Sequence, residues 1–167
     1  MEIRRLVPED ALSYRALRIR ALWEFPEAFT SSYQDEEQRP EEASQIRLGS
    51  EHSMFWGAFE GGQLCGMVGL ERETRAKNRH KGTVVGMYVS QEYFGTGMGR
   101  ALMDALLAVA RQEGIELLVL TVTEGNSVAT TFYEAFGFRS FGIEPHAMKV
   151  EGRPFAKNHM FLILGPS

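Results

Sequence analysis

The sequence holds a single cysteine, Cys65, in 167 residues. No internal disulfide can form, and a reducing, cytoplasmic setting is expected. Cys65 lies in the apolar run "LCGMVGL", where it reads as a small buried hydrophobe rather than a nucleophile. Long hydrophobic runs are missing too. "IELLVLTV" (115–122) is far too short to cross a bilayer, so no membrane partner is expected. The opening "MEIRRLVPED" lacks the apolar segment of a signal peptide. Positive charge is in deficit. Eighteen Lys and Arg face 22 Asp and Glu, a net −4 that argues against nucleic acid as the main partner. The histidines (His52, His80, His146, His159) show no metal-ligand spacing, and no metal is expected. A Ser/His/Asp or Cys/His signature is also absent. What is there is 44% hydrophobic and 24% charged, which suits one domain over 1–167 with an ordinary core.

Periodicity orders the chain. "EIRRLV" (2–7) reads as a strand, and Pro8 opens a helix in which Leu12, Ala16, Ile19 and Trp23 recur at helical spacing. Residues 25–40 read as a loop, followed by a short polar helix near 41–48. "SMFWGAFEGGQLCGMVGLER" (53–72) is a hairpin about Gly61-Gly62. After the basic connection "RAKNRHKG" comes the strand "TVVGMYV" (83–89), with Gly86 marking a bulge. A helix to about Gly114 buries Met98, Ala101, Leu102, Ala105, Leu106 and Val109. "IELLVLTV" reads as a strand covered on both faces. Gly125-Asn126 turns into a last helix with Ala129, Phe132, Tyr133 and Phe136 on one face and Gly137 as its stop. Strands near 138–143 and 157–164 end the chain, with a loop over 144–155. This order predicts an α+β fold, a mixed and mostly antiparallel twisted sheet of about seven strands flanked by about four helices.

The stretch "YFGTGMGRALMDALL" (93–107) puts Gly95, Gly97 and Gly99 at alternate positions directly before an amphipathic helix. The first amides of a helix lack partners and sit at the positive end of its dipole. A strand that feeds such a helix through glycines is an anion cradle. From Phe94 to Ala101 there is no Asp or Glu, and Arg100 adds a cation. Tight helix–sheet packing is the other reading of the same glycines. The spacing excludes a P-loop, since Arg100-Ala101 follows the last glycine, and it does not give G-x-G-x-x-G.

Two blocks, in order, resemble the GNAT superfamily of N-acetyltransferases. "VGMYVSQEYFGTGMGRALMDALL" is similar to its strand, pyrophosphate loop and helix, whose pattern Arg/Gln-x-x-Gly-x-Gly/Ala falls on Phe94, Gly97 and Gly99. "LTVTEGNSVATTFYEAFGF" (120–138) is similar to its N-x-x-A-x-x-x-Y-x-x-x-G-F, with Asn126, Ala129, Tyr133, Gly137 and Phe138 in register. Phe94 departs from the pattern by replacing a residue that often meets a phosphate. The resemblance implies a single GNAT-like domain and acetyl-CoA as acyl donor. It implies that backbone groups of Met87, Tyr88 and Val89 pair with the pantetheine arm. Amides of Gly95, Thr96, Gly97, Met98, Gly99, Arg100 and Ala101 would hold the pyrophosphate. Asn126 would meet the cofactor arm, or cap the last helix, or both. Tyr133 would donate a proton to the departing thiolate; on pattern alone it is a core aromatic.

The activity implied is acetyl transfer to a primary amine, by direct attack in a ternary complex. A small-molecule acceptor is favoured over a protein N-terminus or lysine. A non-catalytic acyl-CoA-binding module is the alternative from another class, because strand 83–89 carries no carboxylate to act as base. Glu71 and Glu73, at the end of the preceding strand, are the candidate bases; Glu24 and Glu27 are weaker ones. Trp23, Phe25, Phe29 and Tyr33 are expected either to line the acceptor site or to pack against the sheet. A homodimer is compatible with the resemblance.

Overall fold

The computed structural model describes residues 1–165. Its elements run β1 (Glu2–Arg5), α1 (Ala11–Glu24), α2 (Tyr33–Gln38), α3 (Glu41–Gly49), β2 (Ser53–Glu60), β3 (Gln63–Arg72), β4 (Lys81–Val89), α4 (Met98–Gln112), β5 (Leu117–Thr123), α5 (Ser127–Glu134), β6 (Arg139–Val150) and β7 (Arg153–Ile163). The strands form one sheet in the order β1-β2-β3-β4-β5-β7-β6. Every neighbouring pair is antiparallel except β4 and β5.

The sheet is buried on two faces. On one, Leu102, Met103 and Leu106 of α4 pack with Trp56, Val68, Leu118 and Leu120. On the other, Tyr14, Leu17 and Ala21 of α1 pack with Phe55, Phe59 and Met67. The α4 stripe agrees with its sequence pattern in part: Met98, Leu102 and Leu106 are buried, Ala101, Ala105 and Val109 only half so, and Met103, Leu107 and Ala110 complete the buried face. The α1 stripe does not. Leu12 and Trp23 are 66% and 69% exposed, while Ala11, Tyr14, Leu17, Arg18, Ala21 and Leu22 are buried. Two apolar stripes share the helical period, so periodicity leaves the phase open. A buried arginine then hid the true stripe. Arg18 Nε lies 3.2 Å from Glu36 Oε1, and its Nη2 donates to Ser31 Oγ at 3.0 Å.

Helix α2 replaces part of the loop expected over 25–40. Ser32 caps it by accepting the Asp35 amide at 3.0 Å, a Ser-x-x-Asp signature visible in the sequence. Pro8 opens a short 3₁₀ turn (Pro8–Asp10) before α1 rather than the helix itself. Asp10 accepts the Val7 amide at 2.9 Å and both terminal nitrogens of Arg4 at 2.9 Å, tying β1 to the start of α1.

The loop expected over 144–155 is mostly strand. β6 and β7 form a long hairpin, and the register slips between Glu144 and Met148. Pro145 cannot donate to a ladder, so here it marks a bulge instead of a break. Strand β5 also departs from expectation. Leu118, Leu120 and Val122 are buried, but Leu117 and Val119 are only partly so and Thr121 is exposed. Its second face borders a cleft rather than a helix.

Candidate active site

The β4–β5 ladder is short. It pairs Lys81 with Leu117, Gly82 with Leu118 and Thr83 with Val119, then ends. β4 runs on to Val89 and β5 to Thr123. From Val84 onward the β4 edge facing β5 has no strand partner, an open row of backbone donors and acceptors. The divergence has a local cause. Register against β3 shifts between Met67 and Gly69, opposite Gly86, whose φ of +62° is a left-handed value that a side chain resists. The bulge turns β4 away from β5, and a cleft of about 1290 Å³ opens in the wedge.

The glycine loop closes one end of this cleft. Gly97 is the N-cap of α4, with φ +87° and ψ 3°. The Ala101 amide already bonds Gly97 O at 3.0 Å, and the Thr96 amide bonds Tyr93 O at 3.3 Å. Those two are therefore removed from the predicted amide cradle. Thr96 and Ala101 also stand outside the cleft lining. The amides of Gly95, Gly97, Met98, Gly99 and Arg100 have no partner among the described residues. No acidic residue occupies the first turn of α4. Phe94 is 57% exposed at the cleft edge, in the position that carries a polar side chain in the family pattern.

Asn126 caps α5 by accepting the Ala129 amide on Oδ1 at 3.1 Å, while it borders the cleft. Seven residues on, Tyr133 enters the cleft wall at 8% exposure, edge-on to Phe132 and Phe138 at centroid distances of 5.1 and 5.7 Å. Its hydroxyl has no hydrogen-bond partner among the described residues, and burial pushes the phenol above its ordinary value.

Across the sheet, side chains opposite one another in register share a face. Glu71 is opposite Thr83, and Thr83 opposite Val119, in a row that crosses the point where β4 and β5 part. Glu71 borders the cleft. Glu73 does not: it lies past the end of β3, exposed, with its amide on Lys81 O at 3.2 Å. Alternation alone had placed the two together, and the strand ends between them. Met87, Tyr88 and Val89 all border the cleft, and Tyr88 also packs with the α1 core. There its hydroxyl donates to Glu24 Oε2 at 2.6 Å, and Arg20 lies 2.8 Å from the other oxygen. Those bonds hold the Glu24 carboxyl below its usual range and occupy it. Phe25 and Phe29 line the cleft, whereas Trp23 and Tyr33 pack on each other at 5.2 Å. Glu27 stays outside the lining, but its carbonyl accepts Thr123 Oγ1 and pins this loop over the end of β5.

Sequence reasoning missed four basic lining residues: Arg18, Arg47, Lys157 and His159. His159 is opposite Thr121 and Lys157 opposite Thr123, so both sit on the sheet face that borders the wedge. His159 Nε2 lies 2.8 Å from Glu144 Oε1. No local motif announces these residues; the β5–β7 register alone brings them in.

The family model described as "Acetyltransferase (GNAT) family" matches residues 18–138, more than half of the chain. A mycothiol acetyltransferase from Thermobispora bispora is 31% identical over 81% of this chain and 45% of its own length. The chain thus spans under half of that relative. The N-alpha-acetyltransferase RimI of Mycobacterium tuberculosis is 32% identical over 68% of this chain and 69% of its own. A solved GNAT-family acetyltransferase from Streptococcus pneumoniae superposes with a TM-score of 0.88 at 27% identity, covering 98% and 99% of the two chains. An unpaired β4 edge, free amides at the start of α4 and a buried tyrosine on α5 thus occur in a chain that belongs to the GNAT acetyltransferase family.

Proposed function

We propose that the cleft joins acetyl-CoA and a small primary amine in a ternary complex and transfers the acetyl group by direct attack. GNAT acetyltransferases use acetyl-CoA. When bound, it supplies the thioester carbonyl that the amine attacks and the thiolate that leaves. The observation that carries the reading is the set of unpartnered amides at Gly95, Gly97, Met98, Gly99 and Arg100. They form a diphosphate cradle at a helix N-terminus whose first turn holds no acid.

This chain's residues divide the work. The open β4 edge at Met87, Tyr88 and Val89 receives the peptide-like arm as an added strand, and an amide there stabilises charge on the carbonyl oxygen. Asn126 keeps its side-chain NH₂ group for the arm while its oxygen caps α5. Glu71, in the row where the strands part, takes the proton of the amine, directly or through water. Tyr133 gives its proton to the leaving thiolate; its unengaged hydroxyl and persistent protonation support that role. The pinned loop carrying Phe25 and Phe29 encloses the acceptor half, which favours a small amine over a protein segment.

The test is thiol release from acetyl-CoA across a panel of primary amines, with thermal stabilisation by acetyl-CoA, NAD and ATP alongside. Stabilisation by acetyl-CoA alone and amine-dependent thiol release are expected. Stabilisation by NAD or ATP instead, or no thiol release with any amine, would overturn the proposal.

A further inference from the structure

The acceptor side of the cleft contains a charge without a counter-ion. Lys157 is 6% exposed, borders the cleft, and makes no ion pair or hydrogen bond among the described residues. A buried ammonium is costly unless an anion meets it. Burial pushes Lys157 below its ordinary pKa, with Glu144 pulling weakly the other way. Glu144 is opposite Lys157 in register, but its carboxylate is taken by His159 at 2.8 Å. The other cations of the lining are placed differently. Arg18 is paired with Glu36, Arg47 donates to Tyr14 Oη at 3.2 Å, and Arg100 follows the glycine loop.

The arrangement is bipolar. Glu71 belongs to the Val119 row and Lys157 to the Thr123 row, on the same face of the sheet. Four residues along the strands, about 13 Å, and three strand spacings from β3 to β7, about 14 Å, put their backbones about 19 Å apart. Side chains reaching inward from both ends shorten that to the span of a small amino acid. We infer that Lys157 docks a carboxylate of the acceptor, so that the substrate class is amino-carboxylic acids rather than simple amines or peptide amides. This inference rests on the transfer reading only for the position of the amine end.

The experiment is calorimetric binding of matched ligands to the protein loaded with coenzyme A, which needs no turnover. The ligands are the common α-amino acids, β-alanine and γ-aminobutyrate, each beside its carboxamide. For at least one pair the acid should bind ten-fold or more tighter than the amide. In Lys157→Met that preference should fall to near unity, and Lys157→Arg should recover part of it. Coenzyme A affinity in each variant reports that the fold is intact. Equal binding of acid and amide by the wild type, or a preference that survives Lys157→Met, would overturn the assignment. Loss of acid and amide alike in Lys157→Met would also overturn it, making Lys157 a general base or a packing residue. If the preference is present but no amine releases thiol, the carboxylate site stands and the transfer reading fails.

Discussion

Replacing Tyr133 by Phe separates chemistry from packing at the residue where the two are hardest to tell apart. The ring does the structural work. It meets Phe132 and Phe138 edge-on at 5.1 and 5.7 Å, and phenylalanine keeps both contacts. The hydroxyl makes no hydrogen bond among the described residues, so its loss breaks none. The change in folding stability should stay within about 0.5 kcal/mol, the range of substitutions that disturb no partner. Turnover should respond very differently. A positioned general acid contributes about 10²- to 10⁴-fold, which is roughly 3–5 kcal/mol of barrier. The assay is kcat and KM by thiol release, with unfolding and acetyl-CoA titration run on the same sample. A fall in kcat of about a hundred-fold or more is expected, with acetyl-CoA affinity nearly unchanged. Because burial raises the Tyr133 pKa above its ordinary value near 10, the wild-type profile should show no alkaline descent from this group below about pH 10. An unchanged kcat would return Tyr133 to the core, as would losses of stability and affinity that match the loss of turnover.

Glu71→Gln should lower kcat/KM at neutral pH by about 10²-fold, whereas His159→Ala should leave it within a few-fold of wild type. The reverse result would move the base to the His159–Glu144 pair. Asp10→Asn keeps an oxygen for the Val7 amide but loses the ion pair with Arg4, and should cost about 0.5 kcal/mol at pH 7 in urea unfolding, the scale of a partly exposed pair. Arg4 and the Val7 amide hold the Asp10 carboxyl below its ordinary value. Its contribution is therefore complete above the unfolded pKa near 3.9 and drains as pH falls through the lower folded value. The gap between wild type and variant should close in strong acid; a constant gap would refute the linkage.

Local signals were legible and register was not. The hairpin about Gly61-Gly62, the Gly86 bulge, the glycine loop and the Asn126 cap each depend on a few adjacent residues, and each stands where its residues point. Errors arose where a decision belonged to distant contacts. The phase of α1 turned on which stripe met Phe55 and Met67, and Arg18 in the buried stripe disguised it. Glu73 was paired with Glu71 by alternation, but β3 stops at Arg72. Thr96 and Ala101 were counted in the cradle because sequence cannot tell a free amide from one closing a turn. Lys157 and His159 had no motif at all. They reach the cleft through pairing with Thr123 and Thr121, more than thirty residues earlier in the chain.

The single parallel pair explains why the site lies where it does. Parallel neighbours require a crossover, and the helix that makes it must start at the carboxyl end of the first strand. Here that helix is α4, so its unpartnered amides appear where β4 has already left β5. Helix α5 starts at the carboxyl end of β5 because it carries the chain past β7 to β6, and this brings Asn126 and Tyr133 to the same opening. An antiparallel pair joined by a tight turn would supply neither helix start. Open edge, unpartnered amides and Tyr133 therefore meet at one opening because both crossover helices start there, with the Gly86 bulge setting how soon the strands part. It follows that function is vulnerable at positions that touch no ligand. A change that let the ladder continue past Thr83 and Val119 would close the wedge and abolish binding with every proposed contact residue still in place.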